Sequence, residues 1–443
     1  MKVTSLTLAV FLAFGATSLP ANANSLLDEL DAELSVSNDS LQAEFELWYA
    51  NRLTEFNEWQ LAYLKKWDKE ADASLQQWGD SEVESSSKIV LNDEKTQTRT
   101  VIDLEAGVVT ITQKVTDGQD ALANVTDAVE SNRALFRELG IDESTNLAEG
   151  KTLAPVAPPA PVEIETSIKQ EIREQTDRQM SQLDKFVEAS PIENAALKEK
   201  LLEAEKAKIR ALEKARLAEV EAKVAKATQV QPTEAKPFTN GVSFSRTSSS
   251  AYQMVLPKDA IVQRAQTYMT YVNRESQKHN IDVSLILAIM HTESHFNPKA
   301  KSHVPAYGLM QIVPTTAGHD VNNLVRGLNK PMKAKDLFIP GINVETGVAY
   351  IDILRDRYLR GIKNPTSATY AVIAAYNTGH GNVAKAMGTR SVKEAIAKIN
   401  ELTPDEFYQR LVTSLPYEET RNYLKKVTTK IKQYDSYQTY SSI

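Results

Sequence analysis

The sequence predicts a mainly α-helical protein whose first half also holds a small β-sheet, and three observations carry that prediction. Apolar residues recur at helical spacing through most of the chain, above all over 25–79, 163–228 and from 258 onward. One region, Thr98 to Val115, alternates apolar and polar residues and turns at Ala106-Gly107, the pattern of a hairpin. Proline-containing stretches at 153–162 and 231–240 separate the helical blocks as spacers do. A length of 443 residues implies more than one compact unit, and 42% hydrophobic residues suffice for real cores.

Lys2, the apolar run Leu6 to Phe14 and the small-residue site Ala21-Asn22-Ala23 read as an export signal. That run is short for a bilayer span, and no later stretch reaches about twenty apolar residues. Without cysteine the chain has no disulfide, thiolate metal site, thiol nucleophile or lipid anchor on cysteine, which suits a periplasmic protein. A net charge of −7 with both signs interspersed argues against nucleic-acid binding.

In order, 25–79 is a helix with all four tryptophans, and Phe45, Phe56, Trp67 and Trp78 repeat every eleven residues on one side. Packing is the expected use of that stripe. Asp120 to Leu139 is a helix stopped by Gly140, and 153–162 is a spacer or an edge strand. Glu163 to Thr228 breaks at Ser190-Pro191, giving either an antiparallel helix pair or one long exposed arm. Val242 to Leu256 is β-like and suited to pair with the hairpin. The expected organisation is a signal peptide over 1–23, an α+β region with long charged helices over 24–257, and a helical unit over 258–443 that ends in a polar tail after Lys432.

The chemistry centres on Asp282 to Pro298. Asp282 can cap a helix and Pro298 must lie outside it, so about three turns fit between them. Ile286, Ile289 and Glu293 share a face that is otherwise apolar, which brings one carboxylate to the edge of a core. Removed from water, that carboxyl would hold its proton to higher pH, as an acid that protonates a glycosidic oxygen requires. The competing reading leaves Glu293 at a helix end in solvent. Downstream, Tyr307 to Ile312 is expected to open a helix after a turn. Ala374 to Gly379 ends another at Gly379, and Pro416 to Tyr423 starts a third.

These blocks resemble the lysozyme-like domain of family 1 lytic transglycosylases, in particular the membrane-bound lytic murein transglycosylase C group. The matching residues are Glu293 to Pro298, Gly308 to Gln311, Ile342 to Tyr350, Asn364 to Ser367, Ala375 to Gly379 and Glu419 to Tyr423. The resemblance implies a C-terminal lysozyme-like α domain that cleaves peptidoglycan glycan strands without water. Glu293 would serve as acid and then as base. Ser302, Met310, Gln311, Tyr376 and Tyr423 would contact the sugar or the acid, with Ser294 and Asn377 supporting the acid's helix. No metal and no cofactor is implied. The chain departs from the group in having no cysteine to carry a lipid.

A zinc site at His291 and His295 is disfavoured, because the zincin pattern puts its glutamate next to the first histidine. Glu345, Glu418 and Glu419 read as structural or helix-start charges. Two rivals stay open: a lysozyme-type hydrolase and a non-catalytic wall-binding scaffold. The long N-terminal helices suit a cell-envelope protein partner.

Overall fold

The computed structural model describes residues 23–78, 82–114, 121–140, 154–156, 161–188, 195–229, 249–257 and 259–441. The expected leader through residue 22 and the spacer at 231–240 lie outside the described residues. Helix α1 (Ala23–Trp78) begins in one unit, which ends at Glu55, and continues in a second that starts at Phe56. That second unit holds β1 (Lys88–Asp93), β2 (Thr98–Asp103), β3 (Val108–Lys114), α2 (Ala121–Ser131), α3 (Arg133–Glu138), β4 (Ala154–Val156), α4 (Pro161–Glu188), α5 (Ala195–Gln229) and β5 (Ser249–Val255). Its remaining helices are α6 (Ala260–Thr267), α7 (Met269–His279), α8 (Val283–Ser294), α9 (Ala317–Leu324), α10 (Pro340–Ile353), α11 (Pro365–Thr378), α12 (His380–Ala386), α13 (Val392–Ile399), α14 (Pro404–Ser414) and α15 (Glu418–Ser441).

The sheet is antiparallel throughout, in the order β1-β2-β3-β5-β4. The expected hairpin is β2–β3, with Ile102 opposite Val109. The β-like stretch returns as β5, placing Met254 opposite Val109 and Tyr252 opposite Ile111. Ile102, Val109, Ile111 and Met254 form one core with Ala128 and Val129 of α2 and with Phe136 and Leu139 around α3. Of the two readings of 153–162, the edge strand holds at β4, where Pro155 faces Tyr252 at the sheet border that tolerates a missing N–H. Strand β1, unforeseen in the sequence, is the opposite edge. The helix expected over 120–139 is divided at Asn132, whose side chain donates to the Ala128 carbonyl at 2.8 Å and competes with the helical ladder.

Helices α4 and α5 form the antiparallel pair, tied by Lys169–Glu221 at 2.8 Å, Arg216–Gln175 at 2.6 Å and Lys206–Asp184 at 2.6 Å. The second part of α1 is a third member of this bundle. Phe56 stacks on Phe186 at 4.5 Å, Asn57 donates to Glu205 at 2.7 Å and Gln60 to Gln182 at 2.8 Å. Phe56 and Trp67 of the aromatic stripe are buried, whereas Trp59 is exposed. The side chains of Phe45 and Trp48 lie outside the described residues.

From Ala260 onward the chain is helical around a large apolar core that runs from Ala265 to Tyr434. No residue of α1, α4 or α5 belongs to that core or to the core of the sheet. The expected polar tail is in part helix instead. Helix α15 continues past Lys432 because Tyr434 is buried, its hydroxyl on His291 Nδ1 at 2.9 Å and its ring edge-on to Phe296. Removing the fully buried Ile111 side chain tests the sheet core: Ile111→Ala should cost about 3 kcal/mol, read as a lowered urea midpoint.

Candidate active site

Helix α8 carries Glu293 next to its last residue. Ile286 and Ile289 are fully buried, so the face read from the sequence does enter a core. Asp282 has the extended backbone of a cap, yet its side chain makes no capping hydrogen bond. The helix stops at Ser294, before Pro298 forces it to, because His295 (φ 51°) and Phe296 (φ 62°) are both left-handed. Such conformations are costly for residues with a side chain and persist only where surroundings hold them. Here Phe296 is buried, the His295 carbonyl accepts from Arg264 Nε at 3.1 Å, and Ser294 Oγ donates to the Leu309 carbonyl at 2.7 Å.

That last bond fixes the next block onto the acid's helix. Tyr307 to Ile312 is a turn closed by a bridge between its ends and opens no helix, since α9 begins only at Ala317. Two features prevent a helix there. Gly308 (φ 74°) sits where a Cβ would fall 2.2 Å from the Leu337 carbonyl, and Gln311 is left-handed at φ 46°. Asn343 of α10, fully buried, grips the turn from below. Its Oδ1 accepts from Met310 N at 2.8 Å, and its Nδ2 donates to the carbonyls of Tyr307 and Leu337, each at 2.8 Å. The sequence block 342–350 was singled out without this role; its signal is an asparagine beside the apolar Ile342 and Val344 near the start of the helix.

The remaining blocks converge on the same place. Helix α11 ends at Thr378 with Gly379 at φ 91°, as the sequence indicates. Tyr376 donates to the Met310 carbonyl at 2.8 Å, so its hydroxyl serves the turn, while its ring lies close enough to Glu293 for their charges to interact. Asn377 bridges helices: its Nδ2 donates to Glu419 Oε1 at 3.2 Å, and its Oδ1 accepts from Thr420 at 2.7 Å. Gln311 Nε2 donates to the carbonyls of Ala300 and Gly308. The hydroxyl of Ser302 is taken by the Val304 carbonyl, and Met310 is buried against Gly347.

Tyr423 turns its buried hydroxyl toward Glu293 and gives it to no other group among the described residues. The half-buried carboxyl of Glu293 is pushed up to about 7, chiefly by desolvation. The nearby Tyr423 hydroxyl and the cations Arg178 and Lys185 oppose that rise, and Glu419 adds to it. Both cations come from α4, which sequence reasoning did not connect to the site. Burial, with Glu293 nearby, lifts the phenols of Tyr376 and Tyr423 well above their ordinary value, so both remain O–H donors. The rings of His291 and His295 meet edge to face, their centroids 5.0 Å apart. His291 is engaged by Tyr434 and Lys430, and burial keeps both rings uncharged.

Asn343→Ala removes three hydrogen bonds inside the core and should cost about 3 kcal/mol, with a lowered thermal midpoint as the measurement. A loss below about 1 kcal/mol would show that the turn does not depend on it.

Residues 270–399 match the family model described as the transglycosylase SLT domain. The membrane-bound lytic murein transglycosylase C of Histophilus somni (strain 2336) is 50% identical over 172 residues, 39% of this chain and 47% of that protein. Its namesake from Sodalis glossinidius (strain morsitans) is 47% identical over 171 residues, with the same shares covered. Among solved structures, the 70 kDa soluble lytic transglycosylase SLT70 of Escherichia coli aligns with a TM-score of 0.32 at 18% identity, over 89% of this chain and 46% of that one. The chain spans about half the length of the curated relatives it matches. The segment that matches the transglycosylase SLT domain model is thus the one that holds Glu293, the Gly308–Gln311 turn and the end of α11.

Proposed function

We propose that this protein is a peptidoglycan lytic transglycosylase that cleaves the β-1,4 bond between N-acetylmuramic acid and N-acetylglucosamine. The observation that carries the reading is one half-buried carboxyl, Glu293, whose proton is retained to about pH 7 beside an unshared tyrosine hydroxyl. In the first step Glu293 gives its proton to the glycosidic oxygen. The bond from C1 to that oxygen breaks, and the N-acetylglucosamine side leaves as an alcohol. The acetamido oxygen of the muramic sugar shares the positive charge left at C1. The Glu293 carboxylate then removes the proton of the C6 hydroxyl, whose oxygen bonds to C1 and closes a 1,6-anhydro ring. No water is consumed, and Glu293 ends protonated as it began.

Tyr423 suits both steps, since a phenol accepts from a carboxylic acid and donates to a carboxylate. A hydrolase would instead use a second carboxylate to activate water or attack C1. The neighbouring carboxylate is Glu419, and its Oε1 is held: Arg178 Nε lies 3.3 Å from it and Asn377 donates to it, while Oε2 is buried without a hydrogen-bond partner among the described residues. The roles of Ser302, Met310 and Gln311 belong to this proposal as walls of the sugar site. No helix among the described residues is long and apolar enough to cross a membrane. With the export-type N-terminus and relatives named as membrane-bound murein enzymes, the envelope is the proposed location.

Incubation with purified sacculi tests the chemistry. Wild type should release muropeptides with anhydro ends, and Glu293→Gln should lose about 10²–10⁴-fold in rate. Reducing ends would identify a hydrolase, and activity in Glu293→Gln would place the acid elsewhere. The first step needs the protonated acid, so kcat/KM should fall about tenfold per pH unit above about 7. The groups facing that proton are Tyr423, Tyr376, Arg178, Lys185 and Glu419.

The same proton gives a readout that needs no substrate. The folded protein holds it to about 7 and the unfolded chain only to 4.5, so the folded state binds more protons between those values. Stability therefore falls as pH rises through that window. Glu293→Gln should be more stable than wild type by about 3 kcal/mol at pH 8 and equal to it at pH 4, measured by urea unfolding.

A further inference from the structure

Helix α4 packs on α11, α12 and α15, the helices that carry Tyr376, Asn377, Glu419 and Tyr423. Its side chains take up the polar groups of that face one by one. Ser181 Oγ donates to the Asn377 carbonyl at 3.0 Å, and Lys185 Nζ donates to the Tyr376 carbonyl at 2.6 Å. Arg178 pairs with Glu419, and Asp177 accepts from the Glu419 backbone N–H at 3.4 Å. Asp184 accepts from Tyr417 and from Asn382. Positions 178, 181 and 185 fall on one side of a helix, so a single stripe of α4 lies against the Tyr376-Asn377 backbone. The second part of α1 covers the neighbouring loop in the same way. Tyr63 donates to the Ser302 carbonyl at 3.4 Å, and the Trp67 ring lies 4.3 Å from that of His303.

We propose that α4 is an internal occupant of the glycan site, holding the backbone and carboxylate groups that a sugar strand would meet, and that it lifts away before substrate reaches Glu293. This rests on the glycan-cleaving reading above. Two observations favour a lifting helix over a fixed wall. Apart from the Trp67–His303 ring contact, those just named are hydrogen bonds and ion pairs, and among the described residues the apolar core beneath them contains none of α1, α4 or α5. A polar interface of that kind is the sort across which domains move. On its N-terminal side the α4–α5 pair follows β4, a three-residue strand at the sheet edge, and the stretch 231–240 beyond it has the composition of a spacer. A shift of the pair would therefore pull first on the short edge strand β4, leaving β1, β2, β3 and β5 and the C-terminal helical core paired as they are.

The absence of cysteine makes the test direct. In full-length Ser181→Cys the sole thiol replaces a side chain that is 2% exposed and rests on the Asn377 carbonyl. Its reaction with Ellman's reagent should be slow, and saturating chitotetraose should speed it several-fold by displacing α4. A rate unchanged or slowed by the sugar would make α4 a fixed wall and overturn the proposal. A cross-link supplies the second measurement. A Cβ on Gly381 would lie 3.3 Å from Glu188 Cγ, so Glu188→Cys with Gly381→Cys can form a disulfide between α4 and α12. The oxidised protein should release anhydro-muropeptides from sacculi at least tenfold more slowly than the reduced one; equal rates would again overturn the proposal. If neither form nor wild type cleaves sacculi, the glycan-cleaving reading fails, and the thiol rate still decides whether α4 moves.

Discussion

A carboxyl group that must not ionise too early is the constraint on which this structure depends. Glu293 sits at the C-terminal end of α8, where exposed helix carbonyls disfavour negative charge, and it is also partly withdrawn from water. Both effects act in the same direction. They operate only if the helix ends where it does, and that ending needs two successive left-handed residues, His295 and Phe296. The strain is borne by the packing of Phe296 and by Ser294, which ties the end of the helix to Leu309. The Gly308–Gln311 turn is in turn held by Asn343 and Tyr376. The polar framework around the acid thus positions a group that never touches most of it.

The molecule divides its forces accordingly. Apolar burial builds the C-terminal helical core and the sheet, while hydrogen bonds and ion pairs join the α1–α4–α5 bundle to the face that bears Tyr376 and Glu419. Burial in a core is roughly additive and hard to reverse locally, whereas a polar contact exchanges readily with water at small net cost. The buried Lys206–Asp184 pair joins α5 to α4, and Asp184 also reaches across the boundary to Tyr417 and Asn382. Contacts such as Lys185 to the Tyr376 carbonyl lie at the boundary, where water or a sugar hydroxyl can replace either partner.

What the sequence revealed follows the range of the interactions. The hairpin, the break between α4 and α5, and the stop at Gly379 are set by turn chemistry a few residues long, and each stands as read. The partners of those elements were harder to see. The amphipathic pattern of α4 shows that it has a buried face, but not that Arg178 and Lys185 reach a carboxyl more than a hundred positions away. The same limit applies inside the site. Tyr376 and Tyr423 look alike in the sequence, yet one hydroxyl is committed to the Met310 carbonyl and the other faces the acid. Strand β1 and the helical tail were missed because each is stabilised by what it packs on: β2 for the first, and His291 and Phe296 for the second.

The two themes meet at Glu419. With α4 in place, Arg178 and Lys185 favour the charged form of Glu293 and Glu419 disfavours it, so the cations moderate a shift that burial begins. Lifting α4 removes both cations together, because they lie on the same helix. Glu419 stays behind on α15, its Oε1 still held by Asn377. The charges left around Glu293 then favour the protonated acid, the form that the proposed first step consumes, provided that the incoming glycan excludes water as α4 did. Glu419 would act on the reaction as a fixed negative charge that keeps a proton on its neighbour, a role distinct from that of a nucleophile. One displacement would thereby admit the glycan and prepare the acid.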